Sequence, residues 1–117
     1  MDTPELTVYE KSTCSTCRNL GRLLREHGIE YERIEYILEP PSTDELRALI
    51  RKLGVPAHEL LRTKEPEYAT TGLGPDATED QIVAAIRAQP QLMQRPVVVR
   101  GDRAVIARPP ERVLEIL

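Results

Sequence analysis

Phenylalanine and tryptophan are absent from this 117-residue chain, and aromatic residues make up only 3% of it. A core must therefore be assembled mainly from Leu, Ile, Val and Ala. Cysteine is scarce as well, with Cys14 and Cys17 the only two. That number excludes a disulfide-stapled secreted scaffold and leaves a catalytic or metal-binding pair in a reducing compartment. Histidine is limited to His27 and His58, neither at a supporting ligand spacing, so no metal site is expected. Long apolar runs are missing: none approaches the roughly 20 residues needed to cross a bilayer. No N-terminal stretch has the basic, apolar and small-residue sections of a signal peptide. Neither sign of charge dominates, with 16 Lys and Arg against 19 Asp and Glu and a net charge of -3. Broad electrostatic binding of nucleic acid is thereby disfavoured, although a local basic pocket is not. A soluble, cytoplasmic single domain spanning residues 1–117 is expected, with a monomer as the default.

What is present is a clear alternation of element signals. Residues 1–4 read as a loose tail, and Leu6-Thr7-Val8-Tyr9 alternates like a strand. From Ser15 to about His27, Leu20, Leu23 and Leu24 form one helical stripe that Gly28 closes. Tyr31 to Ile37 reads as a second strand, giving a right-handed βαβ unit with parallel strands. Ser42-Thr43-Asp44-Glu45 has capping-box spacing before Leu46, Leu49, Ile50 and Leu53, and Gly54 stops that helix. Pro56 opens a short helical piece through Leu60 and Leu61, and Gly72 and Gly74 mark a break. Thr78-Glu79-Asp80-Gln81 is a second capping box, and Pro90 ends the helix it opens. Pro96 to Arg100 and Arg103 to Ala107 are two strands joined by Gly101-Asp102, a hairpin signal. A terminal helix is expected from Pro109, with Val113, Leu114 and Leu117 on one side. The sum is an α/β chain with a thioredoxin-like βαβ–ββα sheet and a helical insertion at about 40–93 between the halves.

The cysteine pair falls where the first strand hands over to the first helix, as Thr13-Cys14-Ser15-Thr16-Cys17-Arg18. A thiol at a helix start meets unpaired N–H groups and the positive end of the helix dipole, and both favour thiolate. Such sites lower a cysteine pKa from about 8.5 to between about 3.5 and 7.5. Cys14, nearer the exposed start, is expected to be the attacking thiolate, and Cys17, three residues on, to lie within disulfide reach. Two inert thiols are the competing account. Glu10 is an acid near Cys14 and is expected to raise its pKa unless Lys11 or Arg18 compensates.

Arg62 ends the apolar Leu60-Leu61 turn, Arg95 precedes Pro96 at the third strand, and Arg108 precedes Pro109 after the fourth. In this layout the joint before the third strand lies beside the active helix start, so a cis Arg95-Pro96 bond is predicted next to Cys14. Arginines converging on a thiolate would depress its pKa and bind a tetrahedral oxyanion through forked hydrogen bonds. The Glu residues 30, 32 and 35 read as a solvated strand face, and Lys64-Glu65-Pro66-Glu67 as an exposed loop.

With Thr7-Val8-Tyr9, Cys14-Ser15-Thr16-Cys17-Arg18, Leu38-Glu39-Pro40-Pro41-Ser42, Leu60-Leu61-Arg62, Arg95-Pro96-Val97-Val98 and Arg108-Pro109 in this order, the chain resembles the arsenate reductase family of the glutaredoxin-coupled, thioredoxin-fold type. That family also includes the Spx regulators. The resemblance runs from about Leu6 to the end of the chain. It implies Cys14 as nucleophile toward arsenate, with Arg62, Arg95 and Arg108 as oxyanion-binding arginines. It implies no bound cofactor, glutathione as co-substrate, and glutaredoxin or thioredoxin as protein reductant, with Cys17 or glutathione resolving the adduct. The Cys-X-X-Cys form is shared with Spx, which implies the alternative of a disulfide switch that binds the C-terminal domain of the RNA polymerase α subunit. Arg108 belongs to the reductase pattern. A general thiol–disulfide oxidoreductase is the third account.

Overall fold

The computed structural model describes residues 6–117, and the expected tail at residues 1–4 lies outside the described residues. Four strands make one sheet in the order β2-β1-β3-β4. They are β1 (Leu6–Glu10), β2 (Tyr31–Glu35), β3 (Val97–Arg100) and β4 (Arg103–Ile106). Strand β1 runs parallel to β2, with Leu6 opposite Tyr31, and antiparallel to β3, with Val8 opposite Val98. The β3–β4 pair is the expected antiparallel hairpin, and its turn needs the positive φ that Gly101 adopts.

Helix α1 (Ser15–Glu26) connects β1 to β2, which supplies the parallel crossover. Between β2 and β3 lie α2 (Thr43–Leu53), α3 (Pro66–Thr71) and α4 (Glu79–Ala88), with short 3-10 turns at Ala57–Leu60 and Pro90–Leu92. Both expected capping boxes are formed. Ser42 accepts from the Glu45 N–H at 3.1 Å, and Thr78 accepts from the Gln81 N–H at 3.2 Å. Each satisfies a donor that the first helical turn would otherwise leave open.

Strand alternation divides the core between the two faces of the sheet. Leu6, Val8 and Val98 pack with Leu20 and Leu24 of α1 and with Val113 and Ile116 of the C-terminal segment. Tyr9 and Val97 face the other way, toward Leu46 and Leu49 of α2 and Ile82 and Ile86 of α4. With no Phe or Trp to supply bulk, Tyr36 fills the second core as one of the largest fully buried side chains. Each buried Leu or Ile contributes about 1.5–3 kcal/mol relative to exposure. This two-sided packing clamps the β1–α1 joint that carries the cysteines.

Two segments depart from expectation. The terminal helix expected from Pro109 is a 3-10 helix over Pro110–Ile116, and Leu114 and Leu117, expected on one side with Val113, are exposed while Ile116 packs with Val113. Pro109 and Pro110 lack N–H donors, and Val113 and Ile116, three residues apart, meet the sheet on the three-per-turn repeat of that helix. Lys64-Glu65-Pro66-Glu67 is not simply an exposed loop, because Pro66 sits at the start of α3 and Glu65 precedes it as the cap residue.

Candidate active site

Cys14 stands at the N-cap of α1 in an extended conformation, φ -84° and ψ 126°, and its N–H donates to the Lys11 carbonyl at 2.9 Å. This turn hangs from β2 as well as β1. The Ser12 N–H donates to the two carboxylate oxygens of Glu35 at 3.1 and 3.0 Å, and Arg18 Nη1 reaches the Ser12 carbonyl at 3.4 Å. Glu35 is thus a brace for the cysteine loop and not only a solvated residue. Arg18 holds the loop backbone, whereas the Lys11 charge bears on Glu65.

The two thiols are free and unequal. Cys14 is partly exposed, whereas Cys17 is 2% exposed. Burial works against ionising Cys14, yet the Cys17 N–H and thiol, the Thr16 N–H and the Arg108 guanidinium outweigh it and bring its pKa to about 7. Burial pushes the Cys17 thiol up to about 12, the neighbouring Cys14 charge adds to this, and the Lys11 N–H opposes it. Near neutral pH Cys14 is therefore substantially ionised, and its thiolate receives a hydrogen bond from a Cys17 thiol. The acid expected to disturb Cys14 acts elsewhere. Glu10 is buried, pairs with Arg33 at 3.2 Å, and its charge bears on Cys17. Its own pKa is raised, by burial first, against the attraction of Arg33.

The expected arginines meet at this corner through different contacts. Arg108 Nη1 lies 3.8 Å from Cys14 Sγ and also donates to the Arg95 carbonyl at 3.0 Å. The Arg95-Pro96 bond is cis, as predicted, and Arg108-Pro109 is cis as well. Arg95 is 7% exposed, its charge interacts with Cys14, and its Nη1 donates to the Tyr36 hydroxyl at 3.2 Å. Arg62 joins the group through Glu65, whose Oε1 accepts from Arg62 Nε at 2.8 Å and lies 3.4 Å from Arg95 Nη2. The hydrogen bond from Arg62 holds the Glu65 carboxyl below the usual range against the opposing effect of burial, with the charges of Arg62, Arg95 and Lys11 adding to the pull.

One donor in this group stands out. Arg95 Nε is buried and has no acceptor among the described residues. A buried, charged donor left open is costly, and a bound anion would supply what it lacks.

Two residues of the corner were not singled out from sequence. Tyr36 donates from its hydroxyl to the Met93 carbonyl at 3.0 Å while accepting from Arg95. Burial holds that hydroxyl protonated, with its pKa up at about 12. From sequence it reads only as an aromatic inside the expected Tyr31 to Ile37 strand, which in the structure ends at Glu35. Glu65 carried a better sequence signal, since a proline at the next position marks a helix start.

The comparisons agree with this geometry. Residues 9–116 match the ArsC family. The chain is 39% identical over 113 residues to an arsenate reductase of Escherichia coli, covering 96% of this chain and 80% of the relative. It is 38% identical over 117 residues to the uncharacterized protein YfgD of Escherichia coli K12, with 98% of both chains covered. An arsenate reductase from Vibrio cholerae superposes with a TM-score of 0.93 at 35% identity, covering 99% of this chain and 100% of that one. With the thioredoxin-like sheet, the cysteine turn and the arginine corner all in place, the chain belongs to the ArsC family.

Proposed function

We propose that the protein reduces arsenate to arsenite, with Cys14 as nucleophile. The observation that carries this reading is the buried Arg95, whose Nε lacks an acceptor beside a thiolate that Arg108 also faces. An oxyanion placed there would satisfy Arg95 and take further charge-assisted bonds from Arg108 and, by displacing Glu65, from Arg62. Without such offset a dianion would repel the thiolate it must approach.

The Cys14 thiolate attacks arsenic and expels one oxygen as water. A second sulfur then attacks Cys14 Sγ, the S–As bond breaks, and its electron pair reduces As(V) to As(III). Cys17 suits that second step because its thiol already contacts Cys14. The products are arsenite and a Cys14–Cys17 disulfide, which external thiol returns to the reduced state. Glutathione with glutaredoxin, or thioredoxin, supplies those electrons, and the protein works as a cytoplasmic monomer with no resident cofactor. The same contact between the thiols favours a second reading, a disulfide switch of the Spx kind on the RNA polymerase α subunit.

The test is arsenate-dependent NADPH oxidation coupled through glutathione and glutaredoxin. Activity in the native chain that vanishes in Cys14→Ser supports the assignment. A native rate in Cys14→Ser, or no arsenate response with redox-dependent α-subunit binding, overturns it.

A further inference from the structure

Strand alternation puts Glu10 on the same face of the sheet as Leu6 and Val8, the face that α1 covers. A carboxylate thus ends an otherwise apolar series, and it is only 6% exposed. Cys17 lies on the buried side of α1. The two side chains share the wall of a cleft of about 440 Å³ between α1 and β2, which Arg25 and Arg33 also line. The N–H that steadies the Cys17 sulfur belongs to Lys11, the residue after Glu10, so both approach it from the end of β1.

Burying an acid is costly unless it is well paired. Arg33 pairs with Glu10 from β2 at 3.2 Å and Arg25 attracts it from α1, while Glu35 on β2 repels it. Burial outweighs both arginines and leaves this carboxyl more basic than an ordinary glutamate. An ion pair serving stability alone would hold it below the ordinary range instead. Cys17 has the complementary need. Its thiol, pushed up to about 12, must lose a proton before its sulfur can attack, and at 2% exposure solvent bases have little access to it.

We infer that Glu10 is the proton acceptor for Cys17 when that thiol attacks Cys14 Sγ. The inference deepens the reading that Cys17 resolves the arsenic adduct, and rests on it. As the Cys17–Cys14 bond forms, the Cys17 proton passes to the Glu10 carboxylate, directly or through one water in the cleft. The Cys14–arsenic bond breaks, its electron pair reduces As(V) to As(III), and the two sulfurs are oxidised to the disulfide. Glu10 then releases the proton to solvent through the cleft and is again a carboxylate. As a bare charge it would work the other way, since it disfavours the Cys17 thiolate.

The experiment uses the full chain and the chromogenic disulfide DTNB, without arsenate, so its outcome is separate from that of the arsenate assay. The Cys14 thiolate attacks DTNB and releases one thionitrobenzoate; Cys17 then attacks Cys14 Sγ and releases a second. Only the second release requires the Cys17 proton to leave. In Glu10→Gln it should slow about a hundredfold near neutral pH, the lower end for general-base assistance, with the first release retained. A glutamate acting only as a charge predicts the opposite, because its removal lowers the Cys17 pKa and speeds attack. In the native chain the second release should rise as Glu10 ionises, above its ordinary value of 4.5, and level off below the Cys17 pKa. Arg33→Met removes an attraction that lowers the Glu10 pKa and should move that rise to higher pH. An unchanged or faster second release in Glu10→Gln, equal slowing of both releases, or an unmoved rise in Arg33→Met overturns the inference. A native rate that climbs through neutral pH without levelling off does so without any variant. A native chain with no second release loses the disulfide reading and this inference together.

Discussion

Arg108 Nη1 lies 3.8 Å from Cys14 Sγ across 94 residues of sequence. The contact joins a central strand to an edge strand: Cys14 leaves β1, and Arg108 follows β4. Arg108 is tied in turn to the Arg95 carbonyl, so the cation nearest the sulfur is held by the backbone that precedes β3. The thiolate is thereby stabilised by the tertiary arrangement of the sheet as well as by its own helix.

Arg108→Ala should raise the Cys14 pKa above its value of about 7. The thiolate is the form present above that pKa, so the variant carries less of it at pH 7. An exposed charged contact is worth up to about 1 kcal/mol, which corresponds to a thiolate-to-thiol ratio about fivefold lower. Iodoacetamide alkylation against pH measures the midpoint. A midpoint equal to that of the native chain would remove Arg108 from this role.

Cys17→Ala should separate the two chemical steps. Losing the Cys17 thiol removes a hydrogen bond to the Cys14 anion, so the Cys14 pKa rises. Attack on arsenate should persist, while the disulfide product disappears. Mass spectrometry after one turnover, in the absence of external thiol, distinguishes the products. A native chain that shows no two-proton mass loss after one turnover would contradict Cys17 as the resolving sulfur.

Tyr36→Phe keeps the ring and deletes the hydroxyl that links Arg95 to the Met93 carbonyl. Both groups are buried, so leaving them unpaired should cost about 1–3 kcal/mol of stability. Arg95 also loses a fixed orientation, and KM for arsenate should rise more than kcat falls. Urea unfolding and steady-state kinetics check the two effects, and native values in both would reduce Tyr36 to a core filler.

Glu65→Gln should tighten oxyanion binding. The Glu65 carboxylate occupies donors of Arg62 and Arg95, so an incoming anion must displace a charge. Glutamine retains an oxygen acceptor and removes the competing charge. Binding of arsenate, or of phosphate as an unreactive analogue, should strengthen by about threefold to tenfold on titration calorimetry, close to 1 kcal/mol. Because Arg62 depresses the Glu65 pKa, the native competition persists at neutral pH and fades only in acid below that lowered value. Weaker binding in Glu65→Gln would show instead that Glu65 orders the arginines for the anion.

Much of the fold was readable because its signals are local. The Ser42 and Thr78 boxes, the Gly101-Asp102 turn and the Leu20–Leu24 stripe each involve residues a few positions apart. The C-terminal 3-10 helix was not readable in the same way. Apolar residues three apart suit either helix type, and docking against the sheet decides between them. Glu35 and Glu65 looked like ordinary surface acids because their partners, Ser12 and Arg95, lie 23 and 30 residues away.

The sequence by itself determined the cysteine turn at a helix start and the presence of arginines before two prolines, since spacing and residue type suffice for both. Tertiary structure alone decided which charges act on which sulfur. Glu10 bears on Cys17 and Arg108 on Cys14, while Arg62 is held one residue removed by Glu65. The reason is physical: Coulomb and hydrogen-bond energies depend on separation in space and on burial, and neither is encoded by position along the chain.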